Sequence, residues 1–243
     1  MKIFVTYSNT PNCIEFGDKP HEKFLKNPDT FIPILGGKSL YKGNNKFLNS
    51  IQGDNIGNNI SSLNPYINEH TVIYWVGQHL DEIKDDYIGF CHYRRLFDIP
   101  NNEQAAENKI FVNQMKFSIS NGLYFLINHD PNTVRTFSEF IQKFMRTSNQ
   151  NMTNILSFLN SNVLFSGNMF IMHKNQFKKY IEIMTPIYNI IFNMIYPFPN
   201  VNDRSFGFIL ERMTTFVILQ MLQKDRNIQI KQGNYEKLGD LIT

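Results

Sequence analysis

Apolar and polar positions divide the chain into short strand-like runs and longer helical stripes. Lys2–Tyr7 is β-branched and aromatic and reads as a first strand, closed by the turn signal Ser8-Asn9-Thr10-Pro11. A second short run, Thr30–Leu35, stops at Gly36-Gly37. From Tyr41 to Asn64 the chain is rich in Gly, Asn and Ser and reads as a long irregular connection, of the kind that serves function or is disordered. Asn64-Pro65 has the form of an N-cap followed by proline at the first helical position, and Val72, Trp75, Val76 and Leu80 form an apolar stripe behind it. The acidic stretch Asp81–Asp86 reads as a solvated connection. Tyr87–Cys91 is then a short buried strand that runs straight into His92-Tyr93-Arg94-Arg95.

Residues 98–108 are loop-like and Lys109–Val112 reads as a strand. Val134, Phe137, Phe140, Ile141 and Phe144 give Asn132–Ser148 helical spacing. Asn162–His173 reads as two apolar runs about a Ser166-Gly167-Asn168 turn. Two long helices are expected over 175–195 and 204–223, with Pro186 kinking or splitting the first, and Ile228–Ile230 as an edge strand. No internal repeat is visible. Strands alternating with helices predict an α/β domain with a central, mostly parallel sheet flanked by helices.

At 243 residues the chain is long enough to bury a substantial core, and 42% hydrophobic residues with 22 Phe exclude a disordered or collagen-like polymer. A net charge of +3 leaves no electrostatic footprint for nucleic acid. Cys13 and Cys91 are too few for a disulfide framework or a four-ligand zinc site, and a reducing, cytoplasmic location is expected. The N-terminal residues lack the h-region of a signal peptide, and no run reaches the ~18 apolar residues of a membrane span. The 31 Asn make Asn-rich turns common here, so an Asn pair alone carries little weight.

Several motifs are missing. Gly37-Lys38-Ser39 looks like a P-loop tail, but the required glycine is Ile32. There is no G-x-G-x-x-G after a strand, no H-E-x-x-H and no G-x-S-x-G. Three clusters remain. Gly53-Asp54-Asn55-Ile56-Gly57-Asn58-Asn59-Ile60-Ser61, with Glu69 in the following helix, is either a surface turn or the polar lining of a pocket beside a helix N-terminus. His92-Tyr93-Arg94-Arg95 lies at the carboxyl end of a strand, where open α/β sheets bind ligands, and two arginines there can grip a diphosphate. The bland alternative pairs them with the acids at 81–86. The third cluster places Arg204, Gly207, Phe208 and Glu211 on one helix face, with Gly207 leaving room for a ligand; the alternative is a capped helix start with surface ion pairs.

Taken together, Gly53-Asp54-Asn55-Ile56…Asn59-Ile60-Ser61, Glu69-x-Thr71-x-x-Tyr74-Trp75 and Tyr87-Ile88-Gly89-Phe90-Cys91-His92-Tyr93-Arg94-Arg95 resemble a bacterial domain-of-unknown-function family associated with capsular, exopolysaccharide and O-antigen glycosyltransferases. Gly167–Met172, Phe177-x-x-Tyr180 and Arg204-x-x-Gly207-Phe208-x-x-Glu211-Arg212 continue the resemblance in order and spacing. The chain departs at Tyr7-Ser8, where the family tends to carry a histidine.

The resemblance implies a GT-A-like, nucleotide-sugar-binding domain over 1–243, with a donor half at 1–130 and an acceptor, helical half at 131–243. It implies transfer of a hexose, such as galactose or galactofuranose, from a UDP-sugar to a surface-polysaccharide or lipid-linked acceptor at the inner membrane face. A non-catalytic nucleotide- or carbohydrate-binding module is the alternative. Donor contacts fall to Thr6, Asp54, Asn55, Asn59, His92, Tyr93, Arg94, Arg95, Arg204 and Arg212, and an acceptor contact to Asn168. The catalytic base is expected at Glu211, with Asp54 and Glu69 next in line. The strand ends in His-Tyr-Arg-Arg rather than Asp-x-Asp, so no metal cofactor is expected: guanidinium groups would neutralise the leaving group.

Overall fold

The computed structural model describes residues 1–8, 26–98, 106–147, 152–196 and 204–237. Strand β1 (Lys2–Tyr7) pairs in parallel with β2 (Phe31–Leu35), which continues to a two-residue β3 (Gln52–Gly53). On its other side β1 pairs in parallel with β4 (Tyr87–His92). A short β5 (Arg95–Phe97) folds back on β4. Beyond β4 the sheet continues through β7 (Val163–His173) and β6 (Lys109–Lys116) to β8 (Gln229–Gln232), while β9 (Tyr235–Lys237) pairs with β5. The main order is β3-β2-β1-β4-β7-β6-β8, in which β7 runs against both its neighbours, as β5 does beside it against β4 and β9.

The helices are α1 (Lys46–Ser50), α2 (Asn64–Ile67), α3 (His70–Gln78), α4 (Asn121–Asn128), α5 (Pro131–Thr147), α6 (Met152–Asn160), α7 (Lys174–Ile195) and α8 (Ser205–Lys224). The period-2 alternation of the strands feeds two cores. Phe4, Ile88, Phe90, Ile110, Phe170 and Met172 face the large core with the long helices, where Phe90 meets Phe170 at 5.0 Å and Phe177 at 5.3 Å. Ile3, Val5, Cys91, Phe111 and Ile171 face a smaller core closed by Leu96 and Phe97. Cys91 is a buried free thiol there. The fold is therefore the expected α/β arrangement of a central sheet flanked by helices, but the sheet is mixed rather than mostly parallel: four of the eight pairings among the described residues are antiparallel, because β7 and β5 run against the strands beside them. Helix α8 has the length and apolarity of a membrane span, yet most of it is buried in the large core.

Three local expectations give way. The helix behind Pro65 is two helices, because Asn68 takes a left-handed backbone (φ 51°) between α2 and α3. Asn64 is the first residue of α2 rather than its cap; its amide donates to the Asn68 carbonyl (2.8 Å) and Thr71 Oγ1 (3.0 Å), bracing the break. Ser166-Gly167-Asn168 is no turn between two strands. It is a bulge inside the single strand β7, with Gly167 and Asn168 at φ 73° and 52°. Opposite it, pairing jumps from Val112–Phe170 to Gln114–Phe165. Pro186 does not split α7, which runs unbroken past it. Burial of Ile187, Tyr188 and Ile191, at roughly 1.5–3 kcal/mol each, outweighs the ~3 kcal/mol penalty of an internal proline. The expected Ser8–Pro11 turn extends beyond the described residues, as does much of the loop at 98–108.

Candidate active site

The carboxyl end of β4 forms one wall. After His92 the Tyr93 amide donates to the Thr6 carbonyl (3.1 Å), and the Tyr93 ring stacks on Tyr7 at 5.8 Å in the smaller core. That anchor turns Arg94 and Arg95 outward; both are exposed, and the Arg94 guanidinium lies 5.3 Å over the Tyr93 ring. Among the described residues neither arginine forms an ion pair. The acids at 81–86 do not reach them, and Asp85 pairs instead with the Met1 ammonium.

The opposite walls come from β7, α3 and α8. The β7 bulge begins where its ladder with β4 stops, at Phe90–Phe170, so Gly167 and Asn168 face the cleft beside His92. The Gly167 amide, released from sheet pairing, donates to the Glu211 carboxylate on α8. Arg204, at the start of α8, donates through Nε and Nη2 to Asn68 Oδ1 at 3.3 and 3.2 Å. Gly207 is the close-approach point, where a Cβ would stand 2.1 Å from Asn68 Nδ2. The room expected at Gly207 is thus taken up largely by Asn68. The cleft so framed has a volume of about 170 Å³.

Its electrostatics are mixed but ordered. The amino ends of α3 and α8 both open onto it, adding partial positive charge to Arg94, Arg95 and Arg204. His92 Nε2 lies 3.5 Å from Glu69 Oε1. Burial, reinforced by Arg94, Arg95 and Arg204, pushes the His92 pKa down to about 3, so the ring stays neutral. Burial likewise raises the Glu69 carboxyl. Its backbone hydrogen bond, Arg204 and the Asn168 side chain oppose the rise, while Glu211 adds to it.

Behind the cleft lies a buried polar chain. His70 Nδ1 meets Tyr188 Oη and His70 Nε2 meets Asn168 Oδ1, each at 2.9 Å. Thr214 Oγ1 approaches Asn168 Oδ1 at 3.4 Å and Tyr180 Oη at 2.9 Å. Burial pushes the His70 pKa down to about 3.

Seven of the candidates read from the sequence therefore line one cleft: Glu69, His92, Arg94, Arg95, Asn168, Arg204 and Glu211. The others lie elsewhere. Asp54 is fully buried, accepting from the Gly37 and Lys38 amides (3.0 and 3.1 Å) and from Ser61 Oγ, which ties the loop after β3 to the end of β2. Asn55 is exposed and Asn59 folds onto its own loop, its amide bonding the Gly57 carbonyl at 2.8 Å. Thr6 is buried within β1, and Tyr93 supports the wall from behind. Arg212 does not line the cleft; it is buried with its guanidinium 4.4 Å over the Phe125 ring and 4.0 Å from the Glu211 carboxylate. Asn68 and the His70 chain carry no sequence pattern of their own; the one clue to Asn68 is a turn-forming residue set inside an otherwise helical stretch.

Among the described residues no three His, Cys, Asp or Glu side chains are grouped so as to hold a metal ion. The two carboxylates of the cleft share it with three guanidinium groups, which would repel a dication.

No curated protein matches the chain. Among solved structures, the apo form of the WbbM bifunctional glycosyltransferase superposes with a TM-score of 0.74 at 20% identity, over 99% of this chain and 45% of that one. The chain thus spans less than half of that protein and shares its fold over nearly its own full length. The family described as a domain of unknown function, DUF4422, matches residues 19–222. The chain belongs to the DUF4422 family.

Proposed function

We propose that the chain is a GT-A-like glycosyltransferase that moves a hexose from a UDP-sugar to a hydroxyl of a surface saccharide or its lipid-linked precursor, without a metal ion. The observation that carries this reading is the meeting of three cationic side chains that form no ion pair among the described residues, Arg94, Arg95 and Arg204, with two carboxylates in one cleft at the carboxyl end of a parallel strand. The likeness to a glycosyltransferase fold supports it. Ligand pockets commonly measure about 300–1,000 Å³. At about 170 Å³ the cleft suits the sugar and adjoining phosphate, with the nucleoside outside it.

In the reaction the acceptor oxygen attacks the anomeric carbon, its proton passes to a carboxylate, and the C1–O bond breaks with its electron pair leaving on UDP. The guanidinium groups and helix amino ends neutralise that departing charge. Of the two carboxylates, Glu211 is engaged by the Gly167 amide, whereas Glu69 is raised by burial. Glu69 is therefore the better proton acceptor, and Glu211 the group that holds the bulge in place.

Release of UDP from a panel of UDP-sugars, followed with and without EDTA, tests the reading. Turnover that survives EDTA supports it. Activity abolished by chelation and restored by manganese overturns the metal-free mechanism. Binding of a UDP-sugar with no UDP release, even with saccharide acceptors, overturns catalysis in favour of a binding module.

A further inference from the structure

We propose that His70 is a positioning residue: by fixing the orientation of the Asn168 amide it sets the ionisation of Glu69. The inference rests on Glu69 being the proton acceptor of the reaction above.

With Glu69 ionised, the side chains of the buried chain fall into one set of donors, the Leu210 carbonyl and Thr214 hydroxyl also lying beside His70. Asn168 faces two groups, His70 Nε2 at 2.9 Å and the carboxyl of Glu69, whose charged form it stabilises. A carboxylate only accepts, so the Asn168 NH2 must point at Glu69 and its Oδ1 at His70. His70 must then carry its proton on Nε2, and Nδ1 must accept from Tyr188 Oη. Thr214 completes the set by donating to Asn168 Oδ1 and accepting from Tyr180 Oη. Each member is fully or nearly fully buried, so water cannot replace a lost partner.

The backbone adds a second constraint. Asn168 sits in the left-handed region that Asn tolerates better than most residues, within the bulge that brings it to the cleft. A neutral Nε2–H imidazole at 2.9 Å, backed by the more distant Thr214 hydroxyl at 3.4 Å, keeps this amide from flipping. Without it, the amide oxygen can turn toward Glu69 and disfavour the carboxylate.

Other charges also face Glu69: His92 from β4, Arg94 and Arg95 beyond it, and Arg204 and Glu211 from α8. Tyr188 and, through Thr214, Tyr180 are the groups of α7 that face His70. The charged groups around Glu69 are kept when His70 is replaced, and Tyr188, which loses a partner, does not face Glu69, so a shift at Glu69 reports the amide.

The test is a carboxyl ¹³C NMR titration of the full chain, with the Glu69 resonance assigned by its loss in Glu69→Gln. His70→Leu should move the Glu69 midpoint up by at least half a pH unit, a threefold or greater change in proton affinity. His70→Gln keeps an N–H donor and should leave the midpoint where it is. Asn168→Asp replaces the donor by a carboxylate and should raise it further. The acidic limb of kcat should move with the midpoint. A Glu69 midpoint unmoved in His70→Leu, or moved equally in His70→Gln, overturns the proposal. If His70→Leu does not fold, an unmoved midpoint in Asn168→Asp overturns it just as well. The titration needs no substrate, so absence of transferase activity in the wild type would sink the functional reading and leave this result standing.

Discussion

Gly207 and Asn68 meet so closely that the side chain of one occupies the space a methyl group on the other would need. The contact joins α8 to the break between α2 and α3 and presents Asn68 Oδ1 to Arg204. Gly207→Ala should gain up to ~1 kcal/mol of helix propensity and lose about 1–3 kcal/mol to overpacking. Stability should therefore change little, while Asn68 is expelled and Arg204 loses its anchor. Thermal melts should stay within a few degrees, and affinity for UDP-sugar should fall several-fold. Unaltered donor affinity would show that Arg204 needs no such anchor.

Removing a guanidinium from the rim should cost transfer more than folding. Arg94→Ala and Arg95→Ala each delete a charge that forms no ion pair among the described residues, and Arg94 gives up only its contact over the Tyr93 ring, so melting temperatures should change little. A charge-assisted bond worth roughly 1.5–3 kcal/mol predicts a drop in kcat/KM of about 10- to 100-fold for each. Lysine should rescue only in part, since it cannot present a planar fork. Steady-state kinetics on the two alanine variants measures this directly.

The two carboxylates should separate cleanly. Glu69→Gln should lower kcat by roughly two to four orders of magnitude with donor affinity kept. Glu211→Gln retains an oxygen for the Gly167 amide and should lose much less. A reversed ranking would return the base to Glu211.

Asp54 should prove to be a residue of stability. It is buried and accepts two backbone amides and a hydroxyl, so Asp54→Ala strands those donors at a cost of about 1–3 kcal/mol each. Denaturant midpoints should drop sharply, while kcat of the fraction that folds stays near wild type.

The pH dependence of folding has a defined sign. His70 and His92 both sit near a pKa of 3 when folded and ordinarily titrate near 6.5. The unfolded chain then binds more protons below that value, so their contribution is complete above about pH 7 and declines as the pH falls. Two such groups give a slope approaching ~2.7 kcal/mol per pH unit. Glu69, raised when folded, acts in the opposite sense below neutrality and softens the decline. Urea melts between pH 8 and 5 should show the loss, with a shallower slope in His92→Gln; a flat profile would contradict it.

How legible the site was depended on how local its causes are. His92–Arg95 could be placed because a buried strand ending in cations is visible within nine residues. Arg204 and Glu211 fell on one face by helix periodicity, which left surface ion pairs as the alternative, and the family resemblance drew them into the site. The bulge was not legible: Ser-Gly-Asn suits a hairpin or a bulge equally, and the choice is made by Val112 and Gln114, some 50 residues away. Asn68 was hidden among 31 asparagines, and His70 looked like any histidine on an apolar helix. Asp54 misled because glycines and amides around an acid look alike whether they await a ligand or serve the backbone.

The reversed strand β7 has a bearing on how the protein comes to be made. It arrives some 70 residues after β4 yet must slot between β4 and β6, both already synthesised. Until the ribosome has delivered it, those two earlier strands present bare edges, an invitation to promiscuous self-association. A nascent chain stalled before residue 163 should accordingly call on chaperones, and one carried past β8, which covers the outer edge of β6, should not.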